Sequence, residues 1–404
     1  MLFSRPSKSV GIDIGSHSVK AVQMSKSGGR FRIDQVGYSV VDRNQVNVDP
    51  VAAQASAVRE ALRAIPTAQS LLVGALPAQT VVIRYPRLPD MPSNEIDQAV
   101  QNEAGQNIPY DLEEVWLDWA LLDTVSEGEK KLLKILLVAA KHEQIESRVQ
   151  IAQSAEIEYS ILGVDSLALA DAAECCDFLG AEESVALVNL GASSTSIHFT
   201  KDGISNFIRD VSWGARDLVQ AISKARRCEY AEAEQALINS RDEESAVPFN
   251  APSPAEEKPA PAKTPKGGSL LDPLEDELGS LGDIGSAGAA PSIGQKSDQE
   301  KSLNEILAQP MARLVAEIRR SFDYYEQQLY EHHVERIILS GGIAHLPIVK
   351  NTLVEELGLE HIEVANPASS ALHLGPSHAV AKLVDHPAQF MVALGLAARG
   401  MADL

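Results

Sequence analysis

The chain has 404 residues, of which 45% are hydrophobic and 5% aromatic, and its formal net charge is −21. This length and composition are enough to bury two cores, as in a soluble globular protein of two or more domains. The acidic balance argues against a nucleic-acid binder, because phosphate contacts need clustered lysine and arginine, and it makes membrane lipid an equally poor direct partner.

Cysteine usage and apolar runs indicate the compartment. Cys175, Cys176 and Cys228 show no CxxC spacing and no histidine cluster beside them. They support neither a disulfide framework nor a zinc site, and they favour a reduced cytosolic protein. The opening MLFSRPSKSV has too short an apolar part for a signal peptide, and the longest apolar run, residues 135–140, is far shorter than a spanning helix. We therefore expect a cytoplasmic protein.

The first part of the chain predicts an α/β domain. GIDIGS, VKAVQM and FRIDQVGYSVV indicate three strands, DPVAAQASAVREALRAI a helix capped by Asp49, and LLVGALP a buried strand. From about Gln79 the pattern changes to strand, helix, strand, strand, helix with several prolines, and YSILGVDSLALADAAE then resumes the first pattern. We predict one domain over 1–78 and 154–182, with an inserted subdomain over 79–153.

A second α/β half begins at SVALVNLGASSTSIHFT and ends with ERIILSGGIAHLP and FMVALGLAARG. We predict that it covers 183–230 and 328–404, with a helical subdomain over 231–240 and 301–327. Residues 241–300 are rich in proline, alanine, serine, glycine and acids, so we expect a disordered linker that cannot bury enough apolar surface to order. Its patch SLLDPLEDELGSLG is expected to be a solvated tether, with folding on a partner as the alternative.

Two hairpins repeat across the halves. VGIDIGSHSVKAVQM and VALVNLGASSTSIHFT align as strand, tight bend, strand. The alignment pairs Asp13, Gly15 and Ser18 with Asn189, Gly191 and Ser194. In each bend the glycine permits backbone conformations in which successive N–H groups converge on an anion, and phosphate oxygens suit such a nest. The repeat therefore suggests a duplicated architecture with a cleft between the halves.

Further residues fit a nucleotide in that cleft. A carboxylate at Asp13 would hold Mg²⁺ through its waters, and Lys20 would place an ammonium against the phosphate chain. In LSGGIAHLP, Gly341 and Gly342 lie between a strand and a helix, where a flat base or ribose could approach the backbone. Each element alone is more often a plain turn, but the three together in this order favour nucleotide binding. The absence of GxxxxGK[ST] excludes a Walker-type fold.

These elements carry a family resemblance. Their order, a hairpin, an insert, a connecting helix, a second hairpin and a GG turn, resembles the superfamily of actin, heat-shock chaperone ATPases and sugar kinases. The position of the insert is similar to that in the FtsA branch. GIDIGSHSVKAVQ, the block RYPRLPDMPSNEIDQAVQNEAGQNIPYDLEEVWLDW, EIRRSFDYY, LSGGIAHLPIVKNTL and VALGLAARG resemble the PilM family of type IV pilus assembly proteins across nearly the whole chain except the linker.

The resemblance implies a fold, a ligand and a partner. The fold would be an actin-like, ribonuclease H-like two-lobe α/β fold with an FtsA-like insert, called subdomain 1C, in the first lobe. The lobes would bind ATP and Mg²⁺. A groove by the insert would hold the short cytoplasmic N-terminal tail of an inner-membrane protein, PilN, and so couple the membrane complex to the pilus motor.

The resemblance also implies a set of site residues. The first phosphate motif would be Asp13, Gly15, Ser16, Ser18 and Lys20, and the second would be Gly191, Ala192, Ser193 and Ser194. Gly341 and Gly342 would form the adenosine turn, with Glu317 and Arg320 beside the base and ribose. Asp165 would orient the attacking water. The alternative for Glu317 and Arg320 is that they are exposed charges on the helix surface and do not border the nucleotide.

One departure bears on activity. Asn189 stands where the family's second hairpin normally carries an acid, and an amide is a poorer outer-sphere anchor for Mg²⁺ than a carboxylate. The hypothesis is therefore a nucleotide-binding scaffold that is slow or inactive as an ATPase. The alternatives are a nucleotide-free adaptor like the actin-like part of a type II secretion protein, a sugar-kinase-type phosphotransferase, and a cytoskeletal filament.

The sequence also suggests how the protein reaches the membrane. No amphipathic helix follows VALGLAARGMADL, so we expect no direct membrane anchor. We expect peripheral association with the inner membrane through a protein partner.

Overall fold

The computed structural model describes residues 7–27, 30–128, 130–240, 301–329 and 333–402. The expected disordered linker, residues 241–300, lies outside these ranges. Within them, no helix is both long enough and apolar enough to cross a bilayer.

The first part of the chain forms a sheet covered by a helix. Its elements are β1 (Lys8–Ile14), β2 (Ser18–Ser27), β3 (Arg30–Val40), α1 (Arg43–Val46), α2 (Pro50–Leu62) and β4 (Ser70–Leu76). The predicted cap of α2 is present, because Asp49 Oδ1 accepts a hydrogen bond of 2.9 Å from the Ala52 amide. Ala53, Val58 and Leu62 of α2 are buried against the sheet.

The insert follows β4 and has a core of its own. Its elements are β5 (Val81–Arg84), β6 (Arg87–Pro89), α3 (Ser93–Asn107), β7 (Val115–Glu127) and β8 (Lys130–Lys141). Helix α4 (His142–Ser154) follows β8, but its Ile151 packs in the core of the first sheet and α2. β8 pairs antiparallel with β5, β6 and β7. Ile96, Val100 and Ala104 of α3 pack on Leu133, Ile135 and Leu137 of β8. The chain then returns to the first sheet through β9 (Ile161–Val164) and continues as α5 (Asp165–Cys175).

The second part repeats the first. Its elements are β10 (Ser184–Leu190), β11 (Thr195–Lys201), β12 (Ile204–Val211), α6 (Ala215–Arg226), α7 (Tyr230–Asn239), α8 (Leu303–Asp323), β13 (Arg336–Gly341), α9 (Pro347–Leu357), β14 (His361–Val364), β15 (His373–Leu374), α10 (Ser377–Asp385) and α11 (Met391–Arg399). The second sheet has the order β12-β11-β10-β13-β14, and the first contains β3-β2-β1-β4-β9. In both, a hairpin and a third antiparallel strand lie on one side, and parallel strands lie on the other.

Helices α5 and α11 pack between the two sheets, where glycine allows very close contact. A Cβ on Gly11 of β1 would lie 2.0 Å from the Ala393 carbonyl oxygen of α11. A Cβ on Gly395 of α11 would lie 1.6 Å from the Ala168 carbonyl oxygen of α5. Around these contacts, Met24, Leu169, Val185 and Leu394 belong to one buried cluster, so the two sheets share a core.

The assignment of all of 328–404 to the second half is wrong at its end. β15 pairs in parallel with β3 of the first sheet, through His373 with Arg32 and Leu374 with Ile33. Arg399 at the end of α11 donates to both carboxylate oxygens of Asp171 in α5, at 2.8 and 3.0 Å. The absence of a side chain at Gly11 lets α11 pack directly on β1, so the end of the chain returns to the first lobe.

We predict that the glycine contact between α11 and α5 is essential to stability. Gly395→Ala forces a methyl group into the Ala168 carbonyl and should destabilise the protein by about 2 kcal/mol or more. Thermal unfolding monitored by circular dichroism measures this. The matched control is Gly105→Ala in α3, where the nearest atom to a Cβ is 3.8 Å away, so higher helix propensity should leave stability unchanged or raised. Equal effects of the two substitutions would contradict the packing argument.

Candidate functional site

Each sheet carries a tight bend after its first strand, and the two bends are built alike. The Gly15 amide donates to the Ser18 carbonyl at 3.1 Å, and the Gly191 amide donates to the Ser194 carbonyl at 3.0 Å. A Cβ on Gly191 would lie 2.7 Å from the Ser194 carbonyl oxygen, so this bend requires glycine.

The two bends face each other across a gap between the lobes. The hydroxyl oxygens of Ser16 in the first bend and Ser193 in the second are 3.0 Å apart. Below them opens a cleft with a volume of about 600 Å³, within the usual range for small-molecule sites. Its walls include the sequence-predicted Asp13, Gly15, Ser16, Ser18, Lys20, Asp165, Gly191, Ala192, Ser193, Ser194, Gly341 and Gly342.

Lys20 and Asp13 face each other on neighbouring strands at the edge of the first bend. They are opposite residues in the β1–β2 ladder, and Lys20 Nζ lies 3.2 Å from Asp13 Oδ2. Both side chains are more than four-fifths buried, at 15% and 17% exposure. The ammonium therefore neutralises the carboxylate in this structure, and both groups remain within reach of a ligand in the cleft.

The predicted glycine pair lies beside the second bend. Gly341 pairs with Leu190 in the β10–β13 ladder, and the Gly342 amide donates to the Leu190 carbonyl at 3.1 Å. Gly341 has a φ of +96°, and its Cβ would lie 2.2 Å from the Leu190 carbonyl oxygen. At Gly342 a Cβ would meet no heavy atom within 4 Å, so a flat ligand can approach the backbone there.

Two carboxyl groups at the base of the cleft have raised pKa values. Asp165 begins α5, and its Oδ1 accepts hydrogen bonds from the amides of Ala78 at 2.9 Å and Ser166 at 2.6 Å. Burial first, and then the charges of Asp210 and Asp13, raise the pKa of Asp165 to about 7 despite these hydrogen bonds. Burial also raises the pKa of Asp210 to about 6.

Sequence reasoning missed Asp210. It lies on β12 opposite Ser196 of β11, and Ser196 occupies the place in the second hairpin that Lys20 occupies in the first. The second lobe thus contributes a carboxylate to the cleft, from its third strand. Asn189 itself accepts a hydrogen bond of 3.3 Å from the Ser340 hydroxyl.

Helices α6 and α7 form a wall of the cleft, where the sequence leads us to expect Glu317 and Arg320 of α8. The residues of these two helices that line the cleft are Arg216, Val219, Tyr230, Glu234, Leu237 and Ile238. Neither Glu317 nor Arg320 is among the described residues that do so. Arg320 Nη2 instead donates to Glu317 Oε1 at 2.6 Å, and Glu317 also lies 3.7 Å from Arg209. Ile318 and Ser321 are the buried residues of this part of α8, and the place of Glu317 and Arg320 beside a base stays a prediction.

Gly214 explains why α6 reaches the cleft. A Cβ there would lie 2.7 Å from the Ala192 carbonyl oxygen in the second bend. The amides of Ala215 and Arg216 donate to the carbonyls of Gly191 and Ala192 at 3.0 and 2.9 Å. The first turn of α6 is therefore tied to the second bend, a signal carried in the sequence by the glycine in SWGARDL.

Side chains from both lobes meet at one edge of the cleft. Glu234 of α7 accepts a hydrogen bond of 3.2 Å from Arg43 and lies 3.5 Å from His17 of the first bend. The Arg43 guanidinium also lies 3.6 Å from the ring centroid of Tyr230. These contacts join the first lobe directly to α7.

The cleft chemistry fits a polyphosphate better than a metal bound by protein alone. Cationic side chains from both lobes converge on it: Lys20, Arg43, Arg148, Arg216 and Lys382. The described residues contain no group of three or more histidine, cysteine or carboxylate side chains that could hold a metal. A Mg²⁺ ion here would have to take most of its ligands from phosphate and water, with Asp13 acting through water.

Comparisons with known proteins agree with the repeated topology. Residues 11–246 and 289–401 match the sequence profile of the family described as type IV pilus assembly protein PilM. A solved PilM-PilN type IV pilus biogenesis complex is similar, with 22% identity over 99% of this chain and 100% of that chain and a TM-score of 0.73.

More distant likenesses are weaker. The ethanolamine utilization protein EutJ from Carboxydothermus hydrogenoformans has 13% identity over 97% of this chain and 90% of that chain, with a TM-score of 0.48. MreB 5 of Spiroplasma citri bound to AMPPNP has 10% identity over 97% and 95%, with a TM-score of 0.46. The repeated sheet order, together with the 0.73 match, confirms the predicted actin-like two-lobe α/β fold.

We predict that Asp165 makes stability depend on pH. Its pKa is about 7 in the folded chain against a usual 3.8, so between these values the folded state binds more protons than the unfolded state. Stability therefore falls as pH rises from about 4 to 7. Asp165→Asn keeps the hydrogen-bond acceptor and should be more stable than the wild type at pH 8 by about 1–3 kcal/mol, with a smaller advantage at pH 5.

Urea unfolding at the two pH values measures this difference. The control is Asp202→Asn, which removes an exposed carboxyl from the turn between β11 and β12 and keeps a residue that tolerates its φ of 55°. An advantage of Asp165→Asn that is the same at pH 5 and pH 8 would contradict the assignment.

Proposed function

The chain belongs to the family of type IV pilus assembly protein PilM, and on that premise we propose that it is a cytoplasmic nucleotide-binding scaffold. It binds ATP with Mg²⁺ between its lobes. It also holds a PilN-like inner-membrane protein through that partner's cytoplasmic tail, and this contact keeps it peripherally at the inner membrane and links the membrane complex to the pilus motor.

The facing bends are the observation that carries the nucleotide proposal. The Ser16 and Ser193 hydroxyls, 3.0 Å apart, mark a place where donors from both lobes converge. Backbone amides and hydroxyls of Gly15, Ser16, Ser18 and of Gly191, Ala192, Ser193 and Ser194 would hold phosphate oxygens. Lys20 would add a positive charge, Asp13 would anchor Mg²⁺ through water, and Gly341 with Gly342 would receive the adenosine.

Hydrolysis is proposed to be slow or absent. Bound Mg²⁺ would supply neutralisation of phosphoryl charge, and water activation depends on that ion being well held. Asn189 offers an amide instead of an acid, and its oxygen already accepts from Ser340. Asp165 would orient the attacking water, but a carboxyl with a pKa of about 7 is partly protonated at neutral pH.

The first test is binding of Mg²⁺-ATP measured by isothermal titration calorimetry. We expect saturable binding with one site per chain, and Lys20→Met should weaken it about tenfold or more, because a charge-assisted contact to phosphate is lost. The control is Lys224→Met, which removes an exposed charge from α6 outside the cleft. Absence of heat with the wild type would favour a nucleotide-free adaptor instead.

The partner proposal is supported by the fold shared with a PilM-PilN complex and by an insert that has its own core. The expected ligand is a short peptide, which would bind in a groove beside residues 79–153. Exposed apolar residues on the insert include Trp116, at 66% exposure. A surface of this kind suits a partner that contributes apolar anchors.

The second test uses the cytoplasmic N-terminal tail of a PilN-like protein encoded beside this one. A fluorescein-labelled tail should bind with saturable anisotropy, whereas a scrambled tail of the same composition should not. Hydrogen exchange should then slow in residues 79–153 when the tail is bound. Protection confined to the second lobe would place the partner elsewhere, and absence of tail binding would remove this part of the proposal.

A further inference from the structure

Arg148 is a buried cation in the cleft wall that the sequence pattern did not single out. It lies on α4, the helix that follows the insert, and lines the same cleft as the two bends. The residue is 8% exposed. Among the described residues, none forms a hydrogen bond or an ion pair with its guanidinium.

An arginine in this state is costly. A guanidinium has five N–H donors and stays charged, so without a protein partner its charge and donors can be satisfied only by what fills the cleft that it lines. Burial lowers the pKa of Arg148, while Tyr159, Asp13 and Asp165 raise it in decreasing order. The negative charges of Asp13 and Asp165 offset part of this desolvation cost without a hydrogen bond to the guanidinium. A ligand with anionic oxygens would satisfy the donors directly.

The position of Arg148 indicates which part of a nucleotide it would meet. Asp13 is the last but one residue of the strand before the first bend, and Asp165 begins α5. Both belong to the first lobe and line the cleft together with Arg148. The glycine pair Gly341–Gly342 belongs to the second lobe, beside Leu190. A nucleotide with its adenosine at the glycine pair and its phosphates between the bends would end near Asp13, Asp165 and Arg148.

We propose that Arg148 binds the terminal phosphate of a nucleoside triphosphate and so brings α4, the helix that leads from the insert back to the first lobe, into the nucleotide site. This inference rests on the proposed nucleotide-binding function. α4 follows β8 of the insert without a break, from Lys141 to His142. A contact between α4 and the third phosphate therefore couples the end of the insert to the number of phosphates bound, because a diphosphate lacks the oxygens that make this contact.

The direct test compares ATP with ADP, both with Mg²⁺, by calorimetry. Arg148→Met should weaken ATP binding about tenfold or more and ADP binding less than about threefold, because only the triphosphate reaches the guanidinium. Arg148→Lys keeps the charge without the planar fork and should lie between the two. The control Arg63→Met removes an exposed arginine of the first lobe, at 78% side-chain exposure, and should change neither affinity.

A second measurement needs no variant and so does not depend on folding of a mutant. Hydrogen exchange over residues 142–154 of the wild type should be slower with saturating non-hydrolysable ATP analogue than with saturating ADP. Equal protection by the two ligands, or equal loss of ATP and ADP affinity in Arg148→Met, would overturn the role of Arg148 while leaving nucleotide binding intact. A wild type that binds neither nucleotide would overturn the proposed function itself.

Discussion

The geometry of the protein depends on how closely α5 and α11 pack between its two sheets. Gly11 and Gly395 remove the side chains that would separate strand from helix and helix from helix. The two sheets therefore share one core, and the bends that end β1 and β10 cannot drift apart without breaking it. Each bend is also held by a hydrogen bond from its own glycine amide, so the gap between the bends is formed without a ligand.

The charges of the cleft follow from this gap. In a chain with a net charge of −21, cationic side chains from both lobes nevertheless line one cavity. They face Asp165 and Asp210, whose raised pKa values reduce the negative charge they carry near neutral pH. The result is a site that can accept phosphate groups although the molecule as a whole repels them.

Local patterns in the sequence are enough to predict those features of the fold and the site that depend on residues close together in the chain. The two hairpins, the cap at Asp49 and the glycine pair are signalled by residues within a few positions of one another, and the structure has each of them. The duplicated fold followed because the same local pattern occurs twice. These features depend on turn chemistry and strand alternation, which a sequence displays directly.

Residues brought in from distant segments could not be predicted in the same way. Asp210 comes from a third strand, Tyr230 and Glu234 from α7, and Arg148 from α4, and none has a motif of its own. The sequence also predicts the helix α8, but which of its faces meets the cleft depends on its rotation, so the role of Glu317 stays a prediction. The end of the chain was assigned to the wrong lobe because only the fit of Gly395 against α5 reveals where α11 packs.

The central claim is that the two glycine bends together hold a phosphate chain. A crystal structure of the protein with Mg²⁺ and a non-hydrolysable ATP analogue tests it most directly. The account predicts phosphate oxygens within hydrogen-bond distance of both Ser16 and Ser193, with the base against Gly342. Density for the analogue outside the interlobe cleft, or touching one bend alone, would contradict the claim.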